Sequence, residues 1–156
     1  MPRRSILLGL ALAPLLAASA EAACRTLDGA PRFEIEQGIA LDRASGLEAG
    51  RCVGEPLYVG LDRAEAEAAR LGEGWRLPDV KELWELLDEG CGEPPIDRAV
   101  FPDLEVGPEG EGAAWTTTPV GMAELWYFVD LGRGLADGHS RSHSLTARLV
   151  RPRVAR

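Results

Sequence analysis

The sequence has few of the residues that most enzymes and metal-binding proteins need. It contains two histidines and three cysteines, and no two cysteines form a C-x-x-C pair. It also lacks a glycine-rich phosphate loop and the G-x-S-x-G motif of a serine nucleophile. Acidic residues outnumber basic ones, for a formal net charge of −8, so the chain has no electrostatic basis for binding nucleic acid or an anionic membrane. These absences predict a protein that is not an enzyme and has no nucleic acid partner.

No apolar run is long enough to span a membrane. The longest covers residues 6–16, whereas a spanning helix needs ~20 apolar residues. Arg3 and Arg4 precede this run, and small residues around 18–22 follow it. A short apolar stretch between a basic start and small residues is typical of a secretory signal peptide. We therefore predict that residues 1–22 are cleaved on export.

The remaining chain has the length of one domain. We assign residues 23–32 to a lead-in and residues 33–153 to a single domain with one modest hydrophobic core. Cys24 follows the predicted cleavage region, but Glu21 occupies the position where a lipid-attachment motif needs an apolar residue. We therefore expect a periplasmic or secreted protein, without membrane insertion after signal cleavage.

The three cysteines, Cys24, Cys52 and Cys91, all lie in the part that would be exported. Thiols outside the cytosol tend to be oxidised, so one disulfide and one remaining thiol are expected. The spacing of the residues leaves all three pairings open.

Alternating apolar and charged residues predict strands near both ends of the domain. Residues 33–36 and 39–42 alternate on either side of Gln37–Gly38, which is typical of a hairpin with a tight turn. Residues 42–50 are rich in turn-forming residues and predict a loop. The predicted C-terminal strands cover residues 114–118, 125–131 and 145–150.

The clearest helix lies in the middle of the chain. Pro78 suits its first turn, and Asp79 and Glu82 have the spacing of a capping box. Apolar residues then recur at helical spacing as far as Gly90, which predicts the C-terminal end. Trp84 falls on this apolar stripe, so we expect it to pack in the core.

A second helix is predicted earlier in the chain, from Asp62 as its N-cap to Gly72 as its stop. Strands at both ends and two helices between them predict an α+β domain. We expect two helices packed on a small antiparallel sheet, with the N- and C-terminal strands close together.

The two histidines, His139 and His143, have the H-x-x-x-H spacing that binds zinc when it lies on a helix. Residues 137–144 are rich in Gly, Ser and Asp and form helices poorly, and no glutamate lies between the histidines to act as a base. We therefore expect exposed loop histidines and no bound metal.

We expect no cofactor. Acidic residues in the segment 91–112 suggest calcium binding as the alternative. They lack the D-x-D-x-D-G spacing of a helical calcium loop, so a solvated acidic loop is the preferred interpretation. The acidic residues concerned are Asp103, Glu105, Glu109 and Glu111.

Arginines collect at the C-terminal end of this acidic chain. In an ordered strand, Arg148 and Arg151 would lie on opposite faces, which disfavours a single basic patch. We interpret this segment as a solvent-exposed strand edge and tail.

Several short motifs occur in an order that resembles one known family. Residues 75–83, WRLPDVKEL, resemble the W-R-L-P-[ND]-x-x-E-L signature of the Lcl C-terminal domain family, named after the end domain of a bacterial collagen-like adhesin. The other segments that resemble the family are 42–47, 95–97, 101–102, 115–118, 126–131 and 148–151.

The resemblance implies an exported domain with a C-type-lectin-like fold, and the adhesin that names the family attaches to sulfated glycans. The calcium-dependent sugar motifs of true C-type lectins are missing here, and the net charge disfavours tight binding to sulfated glycans. No catalytic residues belong to the signature. The resemblance therefore implies structural roles for Trp75, Arg76, Leu77, Pro78 and Glu82.

A cysteine-richer variant of the family contains cysteines that resemble Cys52 and Cys91. The resemblance therefore implies a Cys52–Cys91 disulfide, with Cys24 left over.

Three functions are weighed on this basis. The first is a non-enzymatic binding or adhesion module that recognises a glycan or a protein through loops 91–114 and 132–144. The second is a structural or assembly component of the cell envelope, and the third is a metal-dependent hydrolase. The ligand and the oligomeric state are left open. The predicted ligand surface consists of Trp115, Trp126, His139, Arg141 and His143.

Overall fold

The computed structural model describes most of the chain. No helix in the described part is long and apolar enough to cross a membrane. The predicted signal peptide, Cys52 and Glu109 lie outside the described residues. The described residues are 24, 26–50, 58–106 and 111–153.

The described part is an α+β structure, as the order of sequence patterns predicts. Its strands are antiparallel, and its two helices lie between the N-terminal and C-terminal strands. The elements are β1 (Thr26–Leu27), β2 (Ala30–Pro31), β3 (Phe33–Glu36), β4 (Ile39–Asp42), β5 (Leu47–Gly50), α1 (Leu61–Leu71), α2 (Val80–Trp84), a 3₁₀ turn (Glu89–Cys91), β6 (Ala113–Pro119), β7 (Trp126–Asp130), β8 (Leu135–His139) and β9 (Val150–Pro152).

A four-stranded sheet, in the order β3-β4-β5-β9, joins the two ends of the domain. The predicted hairpin of β3 and β4 is confirmed. Gln37 and Gly38 both have positive φ, 50° and 81°, as a two-residue hairpin turn requires. The prediction of a loop over residues 42–50 is wrong in its second half, because β5 pairs with β4 on one side and with β9 on the other.

A three-stranded sheet, in the order β6-β7-β8, forms the C-terminal half. Strands β6 and β7 confirm the predicted strands at 114–118 and 125–131. The predicted strand at 145–150 is confirmed only at its end, since β9 begins at Val150. Leu145 and Thr146 make isolated bridges instead of a continuous ladder.

Helix α1 begins one residue before the predicted N-cap. Gly60 is the N-cap instead of Asp62, and no side chain caps the helix. The N–H of Leu61 donates to the carbonyl oxygen of Arg141 at 2.9 Å, and a Cβ at Gly60 would lie 3.0 Å from that oxygen. Glycine therefore lets the start of α1 approach the loop after β8, and Asp62 is placed in the first turn.

Helix α2 begins at the predicted capping box. The carboxylate of Asp79 accepts the N–H of Glu82 at 2.8 Å, and the carboxylate of Glu82 accepts the N–H of Asp79 at 2.9 Å. The helix ends at Trp84, well before the predicted stop. The prediction that Trp84 packs in the core is wrong, because its side chain is 45% exposed. The chain turns at that point and buries Leu86 instead.

Trp115 is fully buried, so the prediction that it contributes to a ligand surface is wrong. Its indole Nε1–H donates to the carbonyl oxygen of Val59 at 2.8 Å. Trp115 packs within one of two apolar clusters, and this hydrogen bond satisfies its polar group inside the core.

Arg148 is also buried, with 1% of its surface exposed. It donates to the carbonyl oxygen of Gly50 at 3.0 Å and to the carboxylate of Asp103 at 3.2 Å, and its guanidinium lies over the ring of Phe101. The interpretation of this segment as solvent-exposed is therefore wrong at Arg148.

The disulfide joins Cys24 to Cys91, with the two Cα atoms 4.4 Å apart. The Cys52–Cys91 pairing implied by the resemblance is therefore wrong, because Cys91 is already bonded. Proximity explains the difference: residue 24 lies beside the 3₁₀ turn, where its carbonyl oxygen comes within 3.1 Å of a Cβ placed at Gly90. The bridge joins the lead-in segment to the end of the 3₁₀ turn.

Candidate functional site

Four of the five residues predicted to form a ligand surface lie together at β7, β8 and the loop after β8. The guanidinium of Arg141 lies 4.5 Å from the ring centroid of Trp126. The imidazoles of His139 and His143 stack with centroids 3.5 Å apart and ring planes 3° from parallel. We call these four residues the histidine face; Trp115 lies in the core and is not part of it.

The arginine of the histidine face is held by acidic residues of α1. Arg141 donates to the carboxylate of Asp62, and to that of Glu65 at 2.9 Å. These contacts keep the guanidinium over Trp126, whose indole is therefore covered on one side by the protein. Trp126 is a poor platform for a sugar ring, because stacking needs an open aromatic face.

The stacked histidines do not form a ready metal site. The lone pairs of imidazole lie in the ring plane, so two parallel stacked rings do not aim their nitrogens at one ion. Among the described residues, no group of three or more His, Cys, Asp and Glu side chains is arranged to hold a metal. Burial, together with the nearby His139, lowers the pKa of His143, which favours the neutral ring at neutral pH.

The acidic residues of the segment before β6 contact other protein groups. Asp103 forms an ion pair with the buried Arg148. Glu105 accepts a hydrogen bond from the hydroxyl of Tyr58 at 3.1 Å, and the same hydroxyl reaches the backbone carbonyl of Glu111. These contacts fasten the segment to the rest of the domain.

A cleft of about 760 Å³ lies at the C-terminal end of α2, beside the disulfide. Its wall includes the exposed indole of Trp84, and its floor includes an ion pair between the β2–β3 connection and β4. The residues that line it are Cys24, Arg32, Asp42, Ala44, Ser45, Trp84, Glu85, Leu87, Asp88, Glu89, Gly90, Pro95 and Gly134. We call it the Trp84 cleft.

The floor of the Trp84 cleft is a rigid, buried ion pair. Arg32 donates from Nε to Oδ1 of Asp42 at 2.8 Å and from Nη2 to Oδ2 at 2.6 Å. The carboxylate also accepts the N–H of Ala44 and the hydroxyl of Ser45, each at 2.9 Å, while Arg32 reaches the carbonyl of Glu85. Both charged groups are thus held by several partners within the protein.

This hydrogen bonding sets the charge state of the floor. Burial alone would raise the pKa of Asp42, but the hydrogen bonds from Arg32 and Ala44 and the attraction of the guanidinium lower it overall. The bond to Asp42 likewise raises the pKa of Arg32. Both groups are therefore charged across the physiological pH range.

The rim near the 3₁₀ turn is acidic. Asp88 is 7% exposed, and its carboxylate caps the turn by accepting the N–H of Gly90 at 2.9 Å. Its own N–H donates to the carbonyl oxygen of Pro95 at 2.8 Å. Glu85 and Glu89 are exposed beside it. The rim therefore presents the carboxylates of Glu85 and Glu89 next to the indole of Trp84, while that of Asp88 is buried in the turn.

The W-R-L-P segment fixes the start of α2. The guanidinium of Arg76 donates to both carboxylate oxygens of Glu82, at 2.7 and 2.6 Å, and this contact lowers the pKa of Glu82. Leu77 is buried, and the carbonyl oxygen of Pro78 accepts an N–H of β6 at 2.9 Å. The ring of Trp75 lies 4.5 Å from a guanidinium of β9. These residues join α2 to both sheets and so position the indole at its end.

Residues 38–151 match the Lcl C-terminal domain family. The chain belongs to this family. The match spans most of the chain and agrees with the resemblance drawn from the W-R-L-P signature. A search of curated proteins found no match.

The Trp84 cleft of this Lcl C-terminal domain was missed by sequence reasoning for a specific reason. Trp84 follows the same helical period as Leu83, which is buried, but α2 ends at Trp84 and its ring is left outside. The Cys24–Cys91 bridge that borders the cleft depends on contacts between residues 67 positions apart. The apolar period continues to Leu87, so the local sequence pattern does not mark the end of α2 at Trp84.

Proposed function

We propose that this Lcl C-terminal domain is a non-enzymatic, extracytoplasmic binding module that recognises a glycan through the Trp84 cleft. The observation that carries the proposal is an indole, 45% exposed, in the wall of a 760 Å³ cleft that also contains fixed polar groups. Binding sites for small ligands combine an apolar surface with a few fixed polar groups that set orientation.

The cleft suits a sugar because sugars present both an apolar face and hydroxyl groups. Trp84 supplies a flat apolar surface for one ring face. The exposed carboxylates of Glu85 and Glu89 and the hydroxyl of Ser45 line the same cleft and supply hydrogen-bonding groups for hydroxyls. The Arg32–Asp42 pair keeps the floor rigid, so little conformational entropy is lost on binding.

The proposal includes the finer fold and the location. A C-type-lectin-like arrangement is supported by the pairing of β5 with β9, which brings the two ends of the domain into one sheet beside two helices. A periplasmic or secreted location, after cleavage of residues 1–22, is supported by the Cys24–Cys91 bridge, since disulfides persist in oxidising compartments. The disulfide also occupies the sulfur to which a lipid would attach.

A glycan array tests the proposal, with the protein purified from a bacterial host that exports it. Trp84→Ala should weaken binding by about tenfold or more, as for aromatic residues at the centre of other binding sites. Trp126→Ala, which removes the indole of the histidine face and leaves the Trp84 cleft intact, is the matched control and should retain binding. Thermal melts of both variants establish that each remains folded.

The array also separates the alternatives. Binding that Trp126→Ala abolishes and Trp84→Ala preserves would move the site to the histidine face. A blank array, together with a fixed partner that co-purifies from envelope extracts, would favour a structural or assembly component. Running the array with calcium and with chelator tests the acidic segment, because only a calcium-dependent site loses binding in chelator.

A further inference from the structure

We infer that Arg32 positions the indole of Trp84 by holding the carbonyl oxygen of Glu85, and that lysine cannot replace it in this role. The inference rests on the proposed function, because the indole is the surface on which the sugar stacks. Arg32 is in this sense a positioning residue, which acts on the ligand through Trp84.

Trp84 is the last residue of a short helix. Helix α2 has only five residues, and the indole at its end is 45% exposed. The direction of a side chain follows the backbone conformation of its residue. The position of this indole therefore depends on how firmly the end of α2 is fixed.

Contacts on two sides fix the end of α2. On the core side, Leu83 and Leu86 are buried. On the cleft side, Nη2 of Arg32 donates to the carbonyl oxygen of Glu85, the residue that follows Trp84 and caps the helix. Carbonyl groups at the C-terminus of a helix have no partner within the helix, and a cation there also opposes their partial negative charge. Arg32 thus fixes the helix end on the side where the indole is exposed.

The same guanidinium is fixed to the N-terminal sheet. Its Nε and Nη2 donate to the two carboxylate oxygens of Asp42, at the end of β4, at 2.8 and 2.6 Å. Its Cζ also lies 4.8 Å from the ring centroid of Phe33 in β3. Because Nη2 carries two hydrogens, it can donate to Asp42 and to the carbonyl of Glu85 together. Arg32 therefore links the four-stranded sheet to the end of α2.

This link needs the shape of a guanidinium. The ammonium nitrogen of a lysine ends about one bond short of Nη2, and it lacks the planar fork that matches a carboxylate. A lysine at this position keeps a positive charge beside Asp42 but does not span both the carboxylate and the carbonyl of Glu85. Arg32→Lys therefore separates the link to α2 from the charge of the buried pair.

Arg148→Lys is the matched control. Arg148 is also a buried arginine that donates to a backbone carbonyl, that of Gly50, and to a carboxylate, that of Asp103. It is not among the described residues that line the Trp84 cleft. We expect both arginine-to-lysine variants to lower the free energy of unfolding, and only Arg32→Lys to affect the indole of Trp84.

The first measurement needs no ligand. NMR relaxation of the exported protein gives the order parameter of each indole N–H group. We expect that of Trp84 to fall below about 0.6 in Arg32→Lys, the range of flexible groups, and to keep its wild-type value in Arg148→Lys. That of the buried Trp115 should change in neither variant. Thermal melts establish that each variant is folded.

The second measurement asks whether the position of the indole matters for binding. The proteins are titrated calorimetrically with a trimer of glucosamine and, separately, with its N-acetylated counterpart. Arg32→Lys should raise the Kd about three- to tenfold, because the ligand must then order a mobile side chain, and Arg148→Lys should leave it unchanged. In the Trp84→Ala background, Arg32→Lys should have little further effect, since there is no indole left to position.

The outcomes separate this inference from the proposed function. An unchanged order parameter of Trp84 in Arg32→Lys would overturn the inference, because Arg32 would then stabilise the fold without fixing the indole. An equal loss of affinity with and without the indole would also overturn it, because Arg32 would then contact the sugar directly. A wild type that binds neither sugar would contradict the proposed function, and the order parameters measured without ligand would still confirm or overturn the role of Arg32.

Discussion

Arg32 and Asp42 form a two-bond ion pair at the floor of the Trp84 cleft, with distances of 2.8 and 2.6 Å and both residues buried. The pair joins the connection before β3 to the end of β4, next to the turn that leads into β5. It thus couples the N-terminal sheet to the shape of the cleft. A buried pair of this kind is costly to break on one side, because the remaining charge stays buried without its partner.

Asp42→Asn should therefore lower the free energy of unfolding by about 3–5 kcal/mol, the range for removing one member of a buried ion pair. Urea unfolding followed by circular dichroism measures the change. Glu67→Gln is the matched control, since its pair with Arg70 lies on the exposed surface of α1, and it should leave the free energy of unfolding nearly unchanged. A comparable loss in both variants would contradict the account.

The same pair predicts how stability depends on acid. The pKa of Asp42 is lowered in the fold, so its contribution is present above the unfolded value of about 3.9 and is lost as the pH falls towards the folded value. The wild type should therefore lose stability below about pH 4 more steeply than Asp42→Asn. If the free energies of unfolding of the two proteins fall equally across that pH range, protonation of Asp42 is not linked to unfolding.

The disulfide gives a prediction that separates the two pairings. Cys24→Ser and Cys91→Ser should each destabilise the domain by about 2–5 kcal/mol, because the bridge closes a long loop in the unfolded chain. Cys52→Ser should leave the bridge intact, and peptide mapping should recover the peptides of Cys24 and Cys91 joined. A peptide that joins Cys52 to Cys91 would contradict the structure.

The lowered pKa of His143 gives a prediction about the stacked histidines. The pKa of His143 is lowered by burial and by its neighbour, so protonation is disfavoured in the fold and stability should rise as the pH increases through about 6.5. His139→Ala should move the pKa of His143 upward, although burial keeps it below the ordinary value. NMR titration of the imidazole carbon-bound protons measures this shift. No change in the variant would show that His139 does not affect the titration.

Local patterns predicted the elements that depend on neighbouring residues. The β3–β4 hairpin follows from alternation and from Gln37–Gly38, and the start of α2 follows from the capping box of Asp79 and Glu82. Both are set by contacts within a few positions, which a sequence displays directly.

The features that sequence reasoning missed depend on distant contacts. Strand β5 forms because β9 returns beside it, and Cys24 meets Cys91 only once the chain has folded. The exposure of Trp84 depends on where α2 stops and not on its helical period. The histidine face was partly predicted, since His139 and His143 lie in one short segment. The contact of Arg141 with Asp62 joins residues far apart in the sequence and forms only in the tertiary structure.

Whether a sugar binds in the Trp84 cleft is tested by following the indole N–H signals of the four tryptophans by NMR while a glucosamine trimer, and separately its N-acetylated counterpart, is added. We expect the Trp84 signal to shift saturably and that of the buried Trp115 to stay unchanged. A saturable shift of Trp126, together with the His139 ring signals and with Trp84 unchanged, would contradict it and place the site on the histidine face.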